Sequence, residues 1–260
     1  MNDELLVEVD GAIARLVLNR PKAMNALNLA LIAQIERALP DLASNDEVRV
    51  LVLTGNGPAF CAGADLKEVL ASAAKAPGEP DLLDRAAAVF ARLREFPKPV
   101  IAALNGVTMA GGLELAMCAD IVLAAESATI GDAHSNYGVF PGAGGAAVLP
   151  RVLPINVAMY LLYTGSTMTA EQMRQYGFVN EVHPDDGLPV AADRLARVLA
   201  ARSPAALRRM KTVARHAADK TRDDALLHEQ VMLREHLRSW DLQEGLRAFA
   251  EKRTPEFRGR

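Results

Sequence analysis

Three short apolar runs, set between helical segments, constrain the fold of this chain more than any other feature. Residues 48–54, 100–104 and 120–124 are almost continuously apolar, which is typical of strands buried on both faces of a sheet. Helical segments are predicted at 28–42 before the first run and at 82–95 before the second. This alternation of strand and helix predicts parallel βαβ units and an α/β fold.

The two ends of the chain have other patterns. Asp10-Gly11 lies between alternating segments at 5–10 and 12–19 and predicts a hairpin. After Pro154 the sequence is mostly helical. The remaining predicted elements are a strand at 129–131, a mobile surface loop at 71–81, an extended piece at 178–182, and helices at 188–201 and within 204–250.

Composition and charge exclude several classes of protein. Half of the 260 residues are apolar, enough for a sizeable core, and the net charge of −3 does not indicate a nucleic-acid partner. No long apolar run follows the acidic N-terminus, so we expect neither secretion nor membrane insertion. Cys61 and Cys118 lack metal-ligand spacing, and we expect reduced thiols in a cytoplasmic protein without a metal or redox cofactor. Basic residues concentrate after residue 200, as a solvated helical face or as a phosphate-binding edge.

Residues 105–114 combine the two parts that chemistry beside a carbonyl group needs. Gly111-Gly112 lies where a loop enters a helix, and Glu114 follows about one turn later. Backbone N–H groups at a helix start are free and favour negative charge. The stretch therefore offers a donor for an oxyanion beside a candidate acid/base.

A second segment, residues 60–66, is a candidate for the other half of an oxyanion hole. By itself it is equally well explained as a turn from strand to helix that Asp65 caps. An oxyanion hole usually takes its two donors from separate segments. The N–H groups of Ala64 and Gly111 form such a pair if the two strand ends lie side by side.

His134 lies in the polar cluster 131–136, just before the glycine-rich turn 141–145. A lone histidine is more often structural than catalytic. Asp132 is placed either to orient the imidazole or to face water or solvent. The glycine-rich turn should open a further helix, as a backbone nest or as a tight bend.

The order of these segments resembles the enoyl-CoA hydratase/isomerase family, also called the crotonase superfamily. The segments that carry the resemblance, in family order, are Asn19-Arg20-Pro21, Asn25-Ala26-Leu27, 52–55, 60–66, 98–102, Asn105-Gly106, 111–116, Cys118-Ala119-Asp120, 141–145, 162–165 and 249–253. The resemblance implies a crotonase-like ββα spiral core at 1–200 and a C-terminal helical oligomerisation region at 201–260. It also implies a homotrimer or a dimer of trimers.

The resemblance further implies a coenzyme A thioester as substrate, with no other cofactor. Its thioester oxygen is expected on the N–H groups of Ala64 and Gly111. Lys252 is expected to reach the CoA phosphates from a neighbouring subunit. The other implied substrate and CoA contacts are Lys22, Ala23, Ala62, Asp65, Leu66, Met109, Pro141 and Gly142. The loop at 71–81 and the residues around Tyr137 and Phe140 are expected to shape the acyl pocket.

Two carboxylates carry the reaction in the hydratases that this chain resembles: one activates water for attack at C3, and the other delivers a proton to C2. Glu114 matches the first, and the place of the second is occupied by His134. A neutral imidazole can hold a water, and a protonated one can supply the C2 proton. The first expectation is therefore an enoyl-CoA hydratase that adds water syn across a 2-enoyl-CoA through a thioester enolate.

The histidine leaves other reactions open. Family members that vary this position include isomerases, hydrolases of cyclic β-diketones, decarboxylases and dehalogenases. An enoyl-CoA isomerase is the first alternative, followed by a C–C or thioester hydrolase or decarboxylase, for which Asp132 would have to partner the histidine. A non-catalytic acyl-CoA binder ranks lower, and a nucleotide-binding protein lacks its glycine-rich motifs.

Overall fold

The computed structural model describes residues 3–72 and 80–260. Its strands are β1 (Leu5–Asp10), β2 (Ile13–Leu18), β3 (Val50–Gly55), β4 (Ala59–Cys61), β5 (Val100–Leu104), β6 (Val107–Met109), β7 (Ile121–Ala125), β8 (Thr129–Gly131), β9 (Thr167–Thr169) and β10 (Glu181–His183). Its α-helices are α1 (Leu29–Ser44), α2 (Leu66–Ser72), α3 (Leu82–Arg94), α4 (Gly111–Ala116), α5 (Leu149–Val152), α6 (Ile155–Thr164), α7 (Ala170–Gln175), α8 (Leu188–Ala200), α9 (Pro204–Ala217), α10 (Arg222–His236) and α11 (Trp240–Glu251). Short 3₁₀ helices cover Pro21–Ala23 and His134–Tyr137.

Two sheets organise the described residues. The larger sheet has the order β1-β2-β3-β5-β7-β10, with β1 antiparallel to β2 and the other neighbours parallel. The smaller sheet has the order β4-β6-β8-β9, with an antiparallel pair only between β8 and β9. Successive turns of the chain place one strand in each sheet, because β3 is followed by β4, β5 by β6 and β7 by β8. A helix follows β4 and β6, so the prediction of a ββα spiral is confirmed.

Burial explains why the central strands have no alternating pattern. All five residues of β5 are buried, as are the first four of β3. Helices α1 and α3 pack against each other and bury apolar faces that include Leu31, Ile35 and Phe90. Helix α10, near the C-terminus, differs from α1 and α3 because none of its residues is buried. The division of the chain at residue 200 into two regions stays a prediction.

Several sequence-based boundaries need correction. The stretch 204–250 forms three helices, because Thr221 and Ser239 cap the starts of α10 and α11 with their side chains. The extended piece predicted at 178–182 is a strand only at 181–183, and the glycine-rich turn does not open a helix directly, since α5 begins at Leu149. Of the loop predicted at 71–81, residues 73–79 lie outside the described residues.

Within residues 3–72 and 80–260, none of the helices combines the length and the apolar character that crossing a membrane requires.

Candidate active site

The ends of β4 and β6 lie side by side and bring the two candidate oxyanion donors into one place. Leu27 hydrogen-bonds on both sides of Ala64, donating to Gly63 O at 2.7 Å and accepting from Asp65 N at 2.8 Å. This leaves the Ala64 N–H without a partner among the described residues. A Cβ added to Gly111 would lie 3.5 Å from Ala64 N, so the two segments are in contact.

The backbone at the start of α4 adopts conformations that few residues allow. Ala110, the residue before the helix, has φ 49° and ψ −119°. A Cβ on Gly112 would lie 2.0 Å from the carbonyl oxygen of Cys61, so glycine is required there. Strain of this kind is found where the surrounding structure holds a functional conformation. The Gly111 nitrogen lies close to the segment that carries Ala64, since a Cβ added to Gly63 would lie 3.3 Å from it.

Glu114 is buried, with 4% of its surface exposed, and is held by the glycine-rich turn. Its Oε1 accepts hydrogen bonds from the backbone N–H groups of Ala143 and Gly145, each at 2.8 Å. The turn is therefore a nest for a carboxylate, the first of the two alternatives that its sequence left open. Oε2 of Glu114 accepts no hydrogen bond from the described residues.

His134 is paired with Asp132, and the interpretation of Asp132 as an orienting group holds. Nδ1 of the ring lies 3.0 Å from Oδ1 of Asp132, and the two side chains are 10% and 1% exposed. Burial lowers the pKa of His134, but the hydrogen bond and charge of Asp132, together with the charge of Glu114, outweigh burial and raise the pKa above its ordinary value of 6.5.

One cavity of about 210 Å³ joins these groups. Ala64, Gly111, Glu114 and His134 all line it. Its apolar wall includes Leu27, Val69, Leu82, Leu83, Ala86, Phe90 and Val139. Such an arrangement offers two backbone donors, a carboxylate and an imidazole to one small molecule with an apolar part.

The enoyl-CoA hydratase/isomerase family model matches residues 8–260. The chain belongs to this family. It is 38% identical to the 2,3-dehydroadipyl-CoA hydratase of Escherichia coli K12, with 99% of each chain covered. It is 37% identical to the 1,2-epoxyphenylacetyl-CoA isomerase of the same organism, with 100% of each covered. The crystal structure of enoyl-CoA hydratase from Bacillus anthracis superposes with a TM-score of 0.92 at 33% identity, covering 99% of this chain and 100% of that one.

Membership of the enoyl-CoA hydratase/isomerase family makes this chain an enzyme of that family and confirms the crotonase-like fold. The roles of individual residues stay predictions. Of the substrate contacts that the family resemblance implied, Ala62, Leu66 and Gly142 line the cavity. Tyr137 and Phe140 line it too and are 73% and 81% exposed, and their role in shaping an acyl pocket stays a prediction.

The other implied contacts do not line this cavity: they are Lys22, Ala23, Asp65, Met109, Pro141 and Lys252. Asp65 is engaged locally, since Oδ2 pairs with Arg20 at 3.1 Å and Oδ1 accepts from Lys67 N at 3.2 Å. Lys252 is exposed at the end of α11, with φ 55°. Its predicted role requires a neighbouring subunit.

Local sequence patterns did not indicate that α3 lines the cavity, nor that the glycine-rich turn binds Glu114 in particular. The α3 residues on the cavity are 18 or more positions from Ala64 and 24 or more from Glu114, and their helical pattern showed only which face is apolar. Arg94, at the end of α3, donates a hydrogen bond to Ala143 O and so supports the turn that holds Glu114. No group of three or more potential metal ligands occurs in the described part of the chain, and the cofactor prediction stays a prediction.

Proposed function

We propose that this enzyme hydrates a 2-enoyl-CoA thioester. The observation that carries the proposal is the meeting of Glu114 and His134 with two unpartnered backbone N–H groups on one cavity. The thioester oxygen would accept hydrogen bonds from Ala64 and Gly111. Each donor aimed at a developing oxyanion is worth about 3–4 kcal/mol in comparable sites.

The two side chains divide the proton transfers. Oε2 of Glu114 takes a proton from water as the water oxygen attacks C3, and the electrons of the double bond move into the thioester enolate. His134, protonated, then gives its proton to C2 as the enolate collapses. The anchoring of Oε1 by two N–H groups keeps the carboxylate in place while Oε2 acts.

An enoyl-CoA isomerase is the second candidate. It is supported by the 37% identity to an isomerase and by the same pair of side chains, which can remove a proton from one carbon and return it to another. It differs from hydration in one measurable respect, because the product has the mass of the substrate.

Purified protein with crotonyl-CoA tests the proposal. Loss of the conjugated enoyl absorbance together with the gain of one water in the product mass supports hydration. No reaction, with acyl-CoA binding intact, contradicts hydration of this substrate and favours isomerase or hydrolase chemistry on another acyl group.

We also propose that the enzyme is a homotrimer or a dimer of trimers, in which Lys252 reaches the CoA phosphates bound to a neighbour. Exposed apolar side chains on α9, α10 and α11 support this; they include Met210, Leu227, Leu233, Leu246 and Phe249, each at least 52% exposed. Light scattering after gel filtration should give three or six times the chain mass. A monomer would contradict the proposal.

A further inference from the structure

Asp132 is buried in a way that its sequence position alone does not explain. Its surface is 1% exposed, and Oδ1 accepts from both the ring Nδ1 and the backbone N–H of His134, at 3.0 and 3.3 Å. Ala133, between the two residues, has φ 59°, a left-handed conformation that non-glycine residues seldom adopt. This turn brings two side chains only two positions apart into direct contact.

The second oxygen of Asp132 lies against the turn that holds Glu114. Oδ2 is buried and has no hydrogen-bond partner within the described residues. A Cβ added to Gly145 would lie 2.8 Å from it, and the N–H of the same Gly145 donates to Glu114. Gly145 is therefore in contact with both carboxylates: its N–H binds Glu114, and its α-carbon lies against Oδ2 of Asp132.

A buried carboxylate is costly unless a cation compensates it. The described ion pair of Asp132 is with His134, whose ring gains a positive charge on protonation. The Asp132 carboxylate therefore favours a ring that carries a proton on Nδ1, directed at Asp132. With Nδ1 engaged in this way, Nε2 is the nitrogen left to face a substrate.

We propose that Asp132 is a positioning residue that makes His134 the proton donor of the reaction. It fixes the ring orientation and stabilises the imidazolium, so that Nε2–H delivers the proton to C2 while Glu114 handles the water. The proposal rests on the hydratase function proposed above and adds to it the residue that makes His134 the proton donor.

The groups that face His134 act in the same direction. Asp132 and Glu114 both raise the pKa of the ring, against burial, which lowers it. Besides Glu114 and His134, the described cavity wall has one further titratable side chain, that of Tyr137. It lies on the same short helix as His134 and is mostly exposed. Both carboxylates thus favour the charged form that a proton donor needs.

Titration of His134 by NMR tests the coupling without any substrate. In wild-type protein we expect the ring to titrate above its ordinary pKa with the proton of Nδ1 retained. In Asp132→Asn, which keeps the volume of the side chain, we expect the pKa of His134 to fall by about one unit or more. His134→Ala identifies the signal among the five histidines. An unchanged titration in Asp132→Asn would overturn the proposal.

Kinetics supply the second arm. Asp132→Asn should lower kcat by about 10–100-fold with little change in KM, and should move the alkaline limb of the kcat/KM profile to lower pH. In a His134→Ala background the same substitution should have almost no further effect, because Asp132 acts through the ring. Additive losses in the double variant would contradict the proposal.

Asp241→Asn is the matched control. Asp241 is also 1% exposed, but it binds Ser203 and the backbone of the C-terminal segment. The Asp241→Asn variant should be less stable than the wild-type protein, with the pH profile of kcat/KM and the His134 titration unchanged. If wild-type protein fails to hydrate any enoyl-CoA while the His134 shift is observed, the hydratase function is overturned and the positioning of His134 by Asp132 is not.

Discussion

Among the described residues, the buried carboxylates fall into two groups, which differ in how completely their oxygens are paired. On the cavity, Glu114 and Asp132 each have one oxygen that accepts two hydrogen bonds and one that accepts none from the described residues. In the C-terminal region, every oxygen of Asp241 and Glu244 has a partner.

The partners differ in kind as well. Glu244 receives both terminal nitrogens of Arg253 and the backbone N–H of Glu256, so its charge is neutralised by an ion pair. Glu114 is held by backbone N–H groups alone, and its free oxygen stays available to a ligand. A carboxylate whose oxygens are all hydrogen-bonded can hold a chain segment in place. A carboxylate with only one oxygen hydrogen-bonded, such as Glu114, is held rigidly while its other oxygen can still react with a substrate.

The largest expected effect is on turnover in Glu114→Gln. The amide oxygen can still accept from Ala143 and Gly145, so the fold should survive, but the group can no longer take a proton. We expect turnover to fall by about two to four orders of magnitude, with acyl-CoA affinity and the urea unfolding midpoint almost unchanged. Glu244→Gln should show the reverse, with lower stability and near-normal kcat. Equal turnover in the two variants would remove the distinction between the two regions.

Two glycines, Gly145 beside the cavity and Gly245 in α11, differ in the space around them in the same way. A Cβ on Gly145 would lie 2.7 Å from Pro141 Cβ and 2.8 Å from Asp132 Oδ2, whereas on Gly245 it would meet only Phe257, at 3.6 Å. Gly145→Ala should therefore cost about 1–3 kcal/mol of stability and at least about tenfold in kcat, since both cavity carboxylates must move. Gly245→Ala should gain about 0.5–1 kcal/mol by better helix propensity. Both are read from urea unfolding and steady-state rates; a harmless Gly145→Ala would contradict the described packing.

The two regions should also differ in their pH dependence, because pH affects activity through His134 and stability through Glu244. The pKa of His134 is raised, so its protonated form, and with it kcat/KM, should decline as pH rises through that pKa. The bond to Arg253 lowers the pKa of Glu244 from 4.5 to about 2, so its stabilising effect is complete above 4.5 and is lost as pH falls towards 2. Activity that instead rises steadily above neutral pH would contradict His134 as an acid.

For Ser203→Ala we expect an effect on stability alone. Ser203 donates its hydroxyl to Asp241 and caps α9 by accepting from Ala206 N at 3.0 Å. Its loss should cost about 1–2 kcal/mol in the free energy of unfolding, with kcat unchanged. A fall in kcat for this variant would show that the C-terminal carboxylates influence the cavity.

Much of the fold could be predicted because its strands and its hairpin leave patterns in consecutive residues. The apolar runs became β3, β5 and β7, and the Asp10-Gly11 hairpin formed. The strands β4, β6 and β9 have three residues each, too few to show a period, and only their pairing across the smaller sheet defines them. The three C-terminal helices could be separated only by the caps at Thr221 and Ser239.

The site divides in the same way. Glu114 stands out because it lies in an apolar helix start, and His134 because it occupies a family position. The nest for Glu114 joins residues 29 and 31 positions apart, which no local pattern reports. The pairing of Asp132 with His134 was one of two interpretations, and the left-handed backbone at Ala133 decides between them.

Hydration of crotonyl-CoA by the wild-type enzyme in D₂O, with the product analysed by mass and NMR, tests the proposed reaction most directly. We expect a 3-hydroxyacyl-CoA that carries one carbon-bound deuterium, at C2, because a single positioned acid that exchanges with solvent delivers it. Deuterium in an unhydrated, rearranged enoyl product would contradict hydration and establish isomerase chemistry. Deuterium at C2 from the Glu114→Gln variant at the wild-type rate would contradict the assignment of the free carboxylate oxygen to the reaction.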